Sequence, residues 1–434
     1  MASRYLEISV NNAPSDGKMS FRKGIANLIF QVPAMNATLR PSSVRVCGKI
    51  RFYKDDASPP AAGSTPMACN ERLAVYGAFE SLTTRSIKAQ QTIENIRHYA
   101  HFLNNFIPLG QSVNDINTHM NTTTLALTNA DAFNESVVYS GVENDFTLPL
   151  PCGLFNGTDD IPLSNSQLGG LEISLALASD SQMIYSSTGD ASTLSDAWYE
   201  FSDLKLLVEV MDYTPSEMSA MSNNGAFNYQ SVTSYYDTIN SQQANISFNL
   251  GLSKVRSVFS SFVPSTFLNN RTYDSYQTLY PTNKDGSVAN ISKVVWTKGG
   301  ALFPKHFEMN NNTRDNPNSL AVDPVVIADY VSAVQPFNTN MSMSVGPVNT
   351  SRDMSSDPTE GDNMASQRVP DGGQVWGLGI TYDSLGGAGA DFTSQNWGLT
   401  IDSNLTTDHP QSVFIFVNSE INVAFNQNGI QIIQ

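Results

Sequence analysis

The sequence predicts an all-β protein built of two consecutive antiparallel β-sandwiches or jelly rolls, and three observations support this fold class. Short apolar runs that alternate with polar residues recur along the whole chain, as half-buried strands require. Gly, Pro, Asn and Asp separate these runs, and turns favour those residues. Only 15% of the 434 residues are charged, which suits sheets whose outer faces are polar but uncharged.

The predicted strands are short and are densest near the C-terminus. The run at 43–53 (SVRVCGKIRFY) shows the alternation well, with Val44, Val46 and Ile50 at apolar positions. Further strands are predicted at residues 25–32, 171–177, 201–210, 244–250, 255–262, 291–297, 375–382, 397–405, 413–418, 421–426 and 430–433. Asn428-Gly429 and Asp285-Gly286 each predict a tight turn.

Two segments favour helix instead. Residues 86–106 place Ile93, Ile96, Ala100 and Leu103 at spacings of three and four, which is one face of an amphipathic helix, and Pro108 fits its end. A weaker helical stretch at 215–241, rich in Ser, Asn, Met and Tyr, is interpreted as a connection. We therefore predict a first jelly roll at 1–214, a connecting segment at 215–241 and a second jelly roll at 242–434.

The two halves share a weak internal echo. Ala26-Asn27-x-x-Phe30 precedes Ser42–Arg45, and Ala244-Asn245-x-x-Phe248 precedes Ser253–Arg256. The echo agrees with two similar domains. An antiparallel barrel stays open as an alternative, whereas a β-propeller would need more repeats at a shorter period.

Charge and cysteine content exclude some classes of function. The net charge is −16 and the longest basic run is Arg22-Lys23, so we expect no strong direct binding of nucleic acid. Cys47, Cys69 and Cys152 are too few for a disulfide framework and are expected to be small apolar core residues. We also expect no signal peptide and no transmembrane segment.

The glycine-rich stretch YDSLGGAGADF at 382–392 is the first candidate binding site. Backbone N–H groups at Gly386–Gly389 could face a phosphate, but such cradles need a following helix and usually a Gly-Lys-Ser/Thr sequence. A predicted strand follows instead, and Asp383 and Asp391 would repel an anion. We therefore predict a loop whose glycines serve turn geometry.

The remaining candidate sites are also predicted to be structural. His98-x-x-His101 lacks further ligands at metal spacing, so both histidines are expected on a helix surface or in a loop. Asp353, Asp357, Glu360 and Asp362 do not match an EF-hand and predict a solvated loop. Asp159-Asp160 is interpreted as part of a turn. We predict no catalytic, cofactor-binding or metal-binding residue and no cofactor.

Seven segments, in this order, carry a family resemblance over most of the chain: FQVPAMNATLRPSSVRVCGKIRFY, TIENIRHYAHFL, LPLPCGLFNGTDDIPLSNSQLGGLEISLALAS, YEFSDLKLLVEVMDY, FNLGLSKVRSVFSSFVPSTF, VWGLGITYDSLGGAGADF and HPQSVFIFVNSEINVAFNQNGIQII. Together they resemble the double jelly-roll major capsid proteins of the adenovirus–polinton lineage, of the polinton-like virus and virophage type.

The resemblance implies two eight-stranded antiparallel jelly rolls with short helical insertions. It also implies a structural virion protein without enzyme activity. Three copies would form a pseudo-hexameric capsomer, and capsomers would tile an icosahedral shell around a DNA genome. The implied partners are the chain itself, neighbouring capsomers, and penton and minor capsid proteins, with the virion as location.

Two other functions remain as alternatives. A secreted or surface-displayed glycan-binding protein, such as an adhesin or lectin, would fit the polar, aromatic-bearing loops. A glycoside hydrolase or lyase would need two carboxylates that face each other in a groove, and such a pair meets only in three dimensions.

Overall fold

The computed structural model describes residues 2–54, 67–70, 73–105, 107, 143–186, 189–214, 216, 226–276, 291–305, 309–310, 324–337, 377–382, 389–403, 405–426 and 429–433. Strands dominate these residues, and every strand pair among them is antiparallel. The all-β prediction is therefore confirmed.

The first half of the chain contains twelve described strands and two short helices. The strands are β1 (Ala2–Ser9), β2 (Asn27–Pro33), β3 (Ala37–Leu39), β4 (Arg45–Tyr53), β5 (Met67–Ala68), β6 (Phe79–Ser86), β7 (Thr92–Arg97), β8 (Glu143–Pro149), β9 (Ile161–Pro162), β10 (Gly170–Leu177), β11 (Tyr185–Ser186) and β12 (Trp198–Asp212). The helices are α1 (Tyr99–Asn104) and α2 (Asp180–Met183).

The strand order of this half is that of a jelly roll. Eight main strands, lettered B to I in chain order, are β1, β2, β4, β6, β7, β8, β10 and β12. One sheet has the order β1-β12-β4-β8, and the other has the order β2-β10-β6-β7. In letters these sheets are B-I-D-G and C-H-E-F, the two four-stranded sheets produced by Greek-key connections.

The second half repeats this plan. Its strands are β13 (Phe227–Ile239), β14 (Gln243–Phe248), β15 (Val255–Pro264), β16 (Ile291–Lys298), β17 (Ala301–Leu302), β18 (Met309–Asn310), β19 (Gly377–Thr381), β20 (Trp397–Ser403), β21 (Gln411–Asn426) and β22 (Gly429–Ile433), with helix α3 (Pro324–Val334). The sheets β13-β21-β15-β19 and β14-β20-β16-β17 are again B-I-D-G and C-H-E-F. The two jelly rolls are confirmed.

The weak internal echo falls on equivalent strands. Its first parts lie on or beside β2 and β14, which are the C strands of the two jelly rolls. Its second parts lead into β4 and β15, which are the D strands. The different spacing between the parts reflects the longer C–D connection of the first jelly roll, which includes β3.

The predicted strands coincide with observed ones, with one difference. Residues 413–418 and 421–426 were predicted as two strands but form the single strand β21. Ser419 and Glu420 do not interrupt it, because Ser419 pairs with Ser231 of β13 and the Glu420 N–H donates to the Lys254 carbonyl oxygen at 3.0 Å. Polar side chains within a strand are tolerated where the backbone ladder continues.

The helix predicted at residues 86–106 is wrong over most of its length. Residues 92–97 form strand β7, which pairs with β6, and only Tyr99–Asn104 is helical. His98 separates the two elements with a left-handed φ of 55°. Ile93 and Ile96 are both buried, so their spacing of three arises from packing on both faces of a strand and imitates a helical pattern.

The helical interpretation of residues 215–241 is also wrong for the described part. Phe227–Ile239 forms strand β13, which pairs along its whole length with β21. Its sequence, FNYQSVTSYYDTI, is rich in aromatic and β-branched residues, and these favour strands. The segment predicted to connect the domains therefore supplies the B strand of the second jelly roll.

The two glycine turns can be assessed in part. Asn426 pairs with Gly429, so β21 and β22 form the tight hairpin predicted at Asn428-Gly429. Asp285-Gly286 and residues 383–388 lie outside the described residues. The described end of the glycine-rich loop runs along the start of β15, where Val255 and Ala390 exchange two backbone hydrogen bonds of 2.8 Å. This end of the loop is therefore held by backbone hydrogen bonds to the start of β15.

We predict that Gly389→Ala destabilises the protein more than Gly251→Ala, although both glycines have left-handed backbones, with φ of +68° and +65°. A Cβ at Gly389 would lie 2.8 Å from the Val255 carbonyl oxygen, whereas a Cβ at Gly251 would meet nothing within 4 Å. The backbone cost alone is about 1–2 kcal/mol, and the close approach adds about 1–3 kcal/mol. Urea unfolding of both variants measures the difference; equal losses would contradict the close approach.

Candidate functional site

The junction between the two jelly rolls is formed around strand β21, which contributes side chains to both hydrophobic cores. Along β21, Val413, Ile415 and Val417 point into the core of the second jelly roll. The alternating residues Phe414 and Phe416 belong to the core that continues into the first jelly roll. Because successive side chains of a strand point to opposite faces, this one strand is buried on both sides.

Helix α1 of the first jelly roll packs on the outward face of this sheet. The His101 ring stacks on Phe414 with centroids 3.7 Å apart and planes 10° apart. The Phe102 ring lies 5.4 Å from Phe416 and 6.1 Å from Phe259. Phe337, in the turn after α3, approaches Phe102 edge-on at 5.2 Å. The contacts of Phe102 have the tilted and edge-on geometries that aromatic rings prefer, whereas the His101 ring lies nearly face to face on Phe414.

The two predicted surface histidines occupy different environments. The His98 Nδ1 lies 2.9 Å from the Glu80 Oε1 and is half-buried, in agreement with a surface role. His101 is fully buried, so the prediction of an exposed position is wrong for it. Burial holds the pKa of His101 well below its usual range, which keeps the imidazole neutral inside the junction. The residues that the structure describes contain no cluster suited to a metal ion.

A buried carboxylate links the two jelly rolls. Glu94 of β7 accepts hydrogen bonds from the backbone N–H groups of Gly153 at 3.1 Å, Leu154 at 2.8 Å and Val232 at 2.9 Å. The first two belong to the G–H loop of the first jelly roll, and Val232 belongs to β13 of the second. Burial raises the pKa of Glu94 to about 6, although these hydrogen bonds favour the ionised form.

The junction leaves no room for a side chain at Gly153. A Cβ at this position would lie 1.8 Å from the Gln230 carbonyl oxygen and 2.5 Å from the Glu94 Oε1. The backbones of the G–H loop and β13 therefore approach each other as closely as glycine permits. Glycine at this position is what allows Glu94 to reach donors on both sides of the junction.

Polar side chains add further bonds across the junction. Tyr276 donates to the Gly77 carbonyl oxygen at 2.6 Å, and Tyr229 donates to the Ile93 carbonyl oxygen at 2.6 Å. Arg271 donates to the Ala197 carbonyl oxygen at 2.7 Å. Each bond joins a side chain of the second jelly roll to backbone of the first. Such bonds fix one relative position of the two surfaces, since an unpaired buried polar group is costly.

The other predicted site residues do not assemble into a reactive centre in the described structure. Asp159 accepts a hydrogen bond from the Asn228 N–H at 3.0 Å, so it binds backbone of the second jelly roll. Cys69 and Cys152 are buried, as predicted, whereas Cys47 is only half-buried on β4. The acidic loop from Asp353 to Asp362 lies outside the described residues. No described helix is long and apolar enough to span a bilayer.

Comparison of the sequence finds no match among protein-family models and none among proteins with curated function. Structural comparison gives a clear result. The Faustovirus major capsid protein matches with a TM-score of 0.60 at 8% identity, over 97% of this chain and 90% of that one. VP54 of PBCV-1 matches at 0.58 and 9%, over 100% and 96%. The mavirus major capsid protein matches at 0.50 and 10%, over 99% and 90%.

The chain therefore belongs, by fold, to the proteins built of two jelly rolls in one polypeptide. The match runs through both jelly rolls, because it covers nearly the whole of this chain and of each neighbour. The resemblance to double jelly-roll major capsid proteins is confirmed at the level of the fold.

We predict that Gly153→Ala destabilises the chain by about 3 kcal/mol or more, because the added methyl group must displace the β13 backbone. Gly157→Ala in the same loop is the matched control, since a Cβ there would lie no closer than 3.1 Å to its neighbours. Its loss should stay below about 1 kcal/mol. Urea unfolding midpoints measure both changes, and a small loss for Gly153→Ala would show that the junction can open.

We also predict that the free energy of unfolding depends on pH through the ionisation of Glu94. Burial raises the pKa of Glu94 in the folded chain to about 6, above the usual glutamate value of 4.5. Its contribution to stability is thus complete below pH 4.5 and is lost as the pH rises through 6, by about 2 kcal/mol in total.

The experiment compares the unmodified chain with Glu94→Gln by urea unfolding at pH 4.5, 5.5 and 6.5. The stability of the unmodified chain relative to the variant should fall by about 1.5 kcal/mol over this range. The contribution of His101 is common to both proteins and cancels in the difference. A difference that does not change with pH would contradict the assignment.

Proposed function

We propose that this protein is the major capsid protein of an icosahedral DNA virus. The observation that carries the proposal is the two-jelly-roll architecture, which this chain shares over nearly its full length with the major capsid proteins of Faustovirus and mavirus and with VP54 of PBCV-1. Three copies form a pseudo-hexameric capsomer, and capsomers tile the shell. The protein then resides in the virion.

The junction supports this role physically. A capsomer that tiles a shell needs two jelly rolls held in one fixed relation. The shared strand β21, the Glu94 hydrogen bonds and the Gly153 contact provide that rigidity. Three chains then place six similar jelly rolls around a three-fold axis, in nearly hexagonal positions.

The same proposal assigns the domains and partners. Residues 1–214 form the first jelly roll, and the second begins at β13 rather than at residue 242. The chain binds copies of itself, neighbouring capsomers, and penton and minor capsid proteins. It performs no enzymatic reaction. Its net charge of −16 gives it no strong attraction for the enclosed DNA.

The test is the state of assembly of the purified chain. Size exclusion with light scattering should give one species with the mass of three 47.2 kDa chains, and negative-stain micrographs should show particles with a hexagonal outline. A stable monomer at micromolar concentration would refute the proposal. Glycan-array binding by such a monomer would favour the glycan-binding alternative instead.

A further inference from the structure

The outward face of strand β21 changes from aromatic to polar along its length. Phe414 and Phe416 contact helix α1, whereas the next two residues on the same face are Asn418 and Glu420. Asn418 is fully buried, and Glu420 is partly exposed. A cavity of about 380 Å³ lies beside this polar end of the face, and its volume is within the range of small-ligand sites.

Three strands and the end of a helix enclose this polar cavity. Strands β13, β15 and β19 form one side of it, and the end of α3 forms the other. Its polar groups come from six residues: Gln230, Arg256, Ser257, Ser332, Gln335 and Thr381. Ser332 and Gln335 are exposed and therefore lie at its mouth. None of the described residues that line it is aromatic, so the polar cavity is not suited to a flat apolar ligand.

Hydrogen bonds hold the two sides of the polar cavity in place. The Ser257 hydroxyl donates to the Ala333 carbonyl oxygen at 2.9 Å, which ties β15 to the end of α3. The Asn156 Nδ2 of the first jelly roll donates to the carbonyl oxygen of Pro336, which also lines the cavity. The polar cavity is therefore formed without a ligand, as most small-ligand sites are.

Two lining residues have a defined hydrogen-bonding role toward a ligand. The Gln230 Oε1 accepts from the Nδ2 of the buried Asn418 at 3.0 Å. Its Nε2 makes no hydrogen bond to a described residue and is not buried, so it can donate to a ligand. The Ser257 hydroxyl hydrogen is used at Ala333, so the Ser257 Oγ can only accept. A ligand that fits must carry both an acceptor and a donor.

The charges beside the polar cavity favour an anionic acceptor. Arg256 lines the cavity, its side chain is only 17% exposed, and its guanidinium contacts the Glu420 carboxylate. The Lys254 Nζ lies 3.1 Å from the other oxygen of this carboxylate. Hydrogen bonds from Arg256 and Lys254 hold the pKa of Glu420 below its usual range, so these three residues carry one net positive charge. A guanidinium is the cationic group best matched to a carboxylate.

We propose that the polar cavity binds a carboxylate with an amide N–H next to it, the chemistry shared by the C-terminus of a polypeptide and a free N-acylated amino acid. Arg256 and the Gln230 Nε2 bind the carboxylate, and the Ser257 Oγ accepts from the N–H. The mouth between Ser332 and Gln335 admits the rest of the ligand. The inference goes beyond the proposed function and does not depend on it, because a single chain supplies every lining residue.

The first experiment tests the carboxylate with two probes, N-acetylglycine and N-acetylglycinamide, which differ only in that group. Each is titrated to about 10 mM against the purified chain, and binding is measured by saturation-transfer NMR. N-acetylglycine should bind, and N-acetylglycinamide should bind about tenfold more weakly or not at all, because it loses a charge-assisted hydrogen bond. Absence of N-acetylglycine binding, or equal binding of the two probes, would overturn the inference.

The second experiment locates the site with matched variants. Arg256→Gln should weaken N-acetylglycine binding by about tenfold or more. Lys254→Gln is the control, since Lys254 contacts the same carboxylate but does not line the polar cavity; its effect should stay within about threefold. Equal losses in both variants would show attraction by surface charge alone and refute the site. Near-ultraviolet circular dichroism establishes that each variant is folded.

A third variant leaves the ion pairs untouched. Ser332→Trp changes an exposed position of α3 at the mouth of the polar cavity, and it should block N-acetylglycine binding while the fold is kept. Undiminished binding to this variant would contradict the assigned position, whatever the behaviour of Arg256→Gln.

A longer probe separates the two sources of the ligand. The peptide acetyl-Ala-Ala-Ala-Gly with a free C-terminus should bind at least as tightly as N-acetylglycine if the natural ligand is the end of a polypeptide. If the peptide is rejected while N-acetylglycine binds, the polar cavity takes a free small molecule.

Discussion

The structure depends on one constraint: strand β21 must be buried on both faces. A strand between two cores needs an apolar side chain at almost every position, and VFIFV at residues 413–417 meets this requirement. Burial on both sides aligns the second jelly roll with the first. The G–H loop of one then lies close enough to β13 of the other for a single carboxylate, Glu94, to bind both.

The junction also explains how a chain with few charges holds its interior together. Glu94 is satisfied by three backbone N–H groups, which do not bring a second desolvated ion into the interior. The imidazole of His101 is neutral and acts as a flat aromatic surface for Phe414. Tyrosine hydroxyl groups bind carbonyl oxygens across the same boundary. Neutral donors and backbone N–H groups thus satisfy the polar groups of the junction without a buried ion pair among them.

Local sequence patterns predicted ten of the sixteen main strands, because alternation is a property of the residues themselves, but they missed strands such as β1, β6 and β8. The same logic failed at residues 86–106, where Ile93 and Ile96 of strand β7 are both buried in the same core and imitate a helical spacing. Local sequence patterns could not identify Glu94 and Gly153 as residues of the junction. Glu94 binds partners 59, 60 and 138 residues away, and nothing in its immediate neighbours distinguishes it from a surface glutamate. The first two of these distances fall within one jelly roll and the third spans the junction, so only the tertiary fold identifies the site.

The position of β21 in the chain has a consequence for biosynthesis. Strands β13 and β15 flank β21 and emerge from the ribosome well before it. Until β21 is synthesised, both strands therefore lack their common pairing partner. A chain that stops before residue 411 would leave Phe259 and the aromatic face of α1 uncovered. Such a fragment could not present two docked jelly rolls, and would instead be a substrate for chaperones and proteases. Completion of β21 therefore decides whether the two jelly rolls can dock, since only polypeptides translated past this strand contain the surface that joins them.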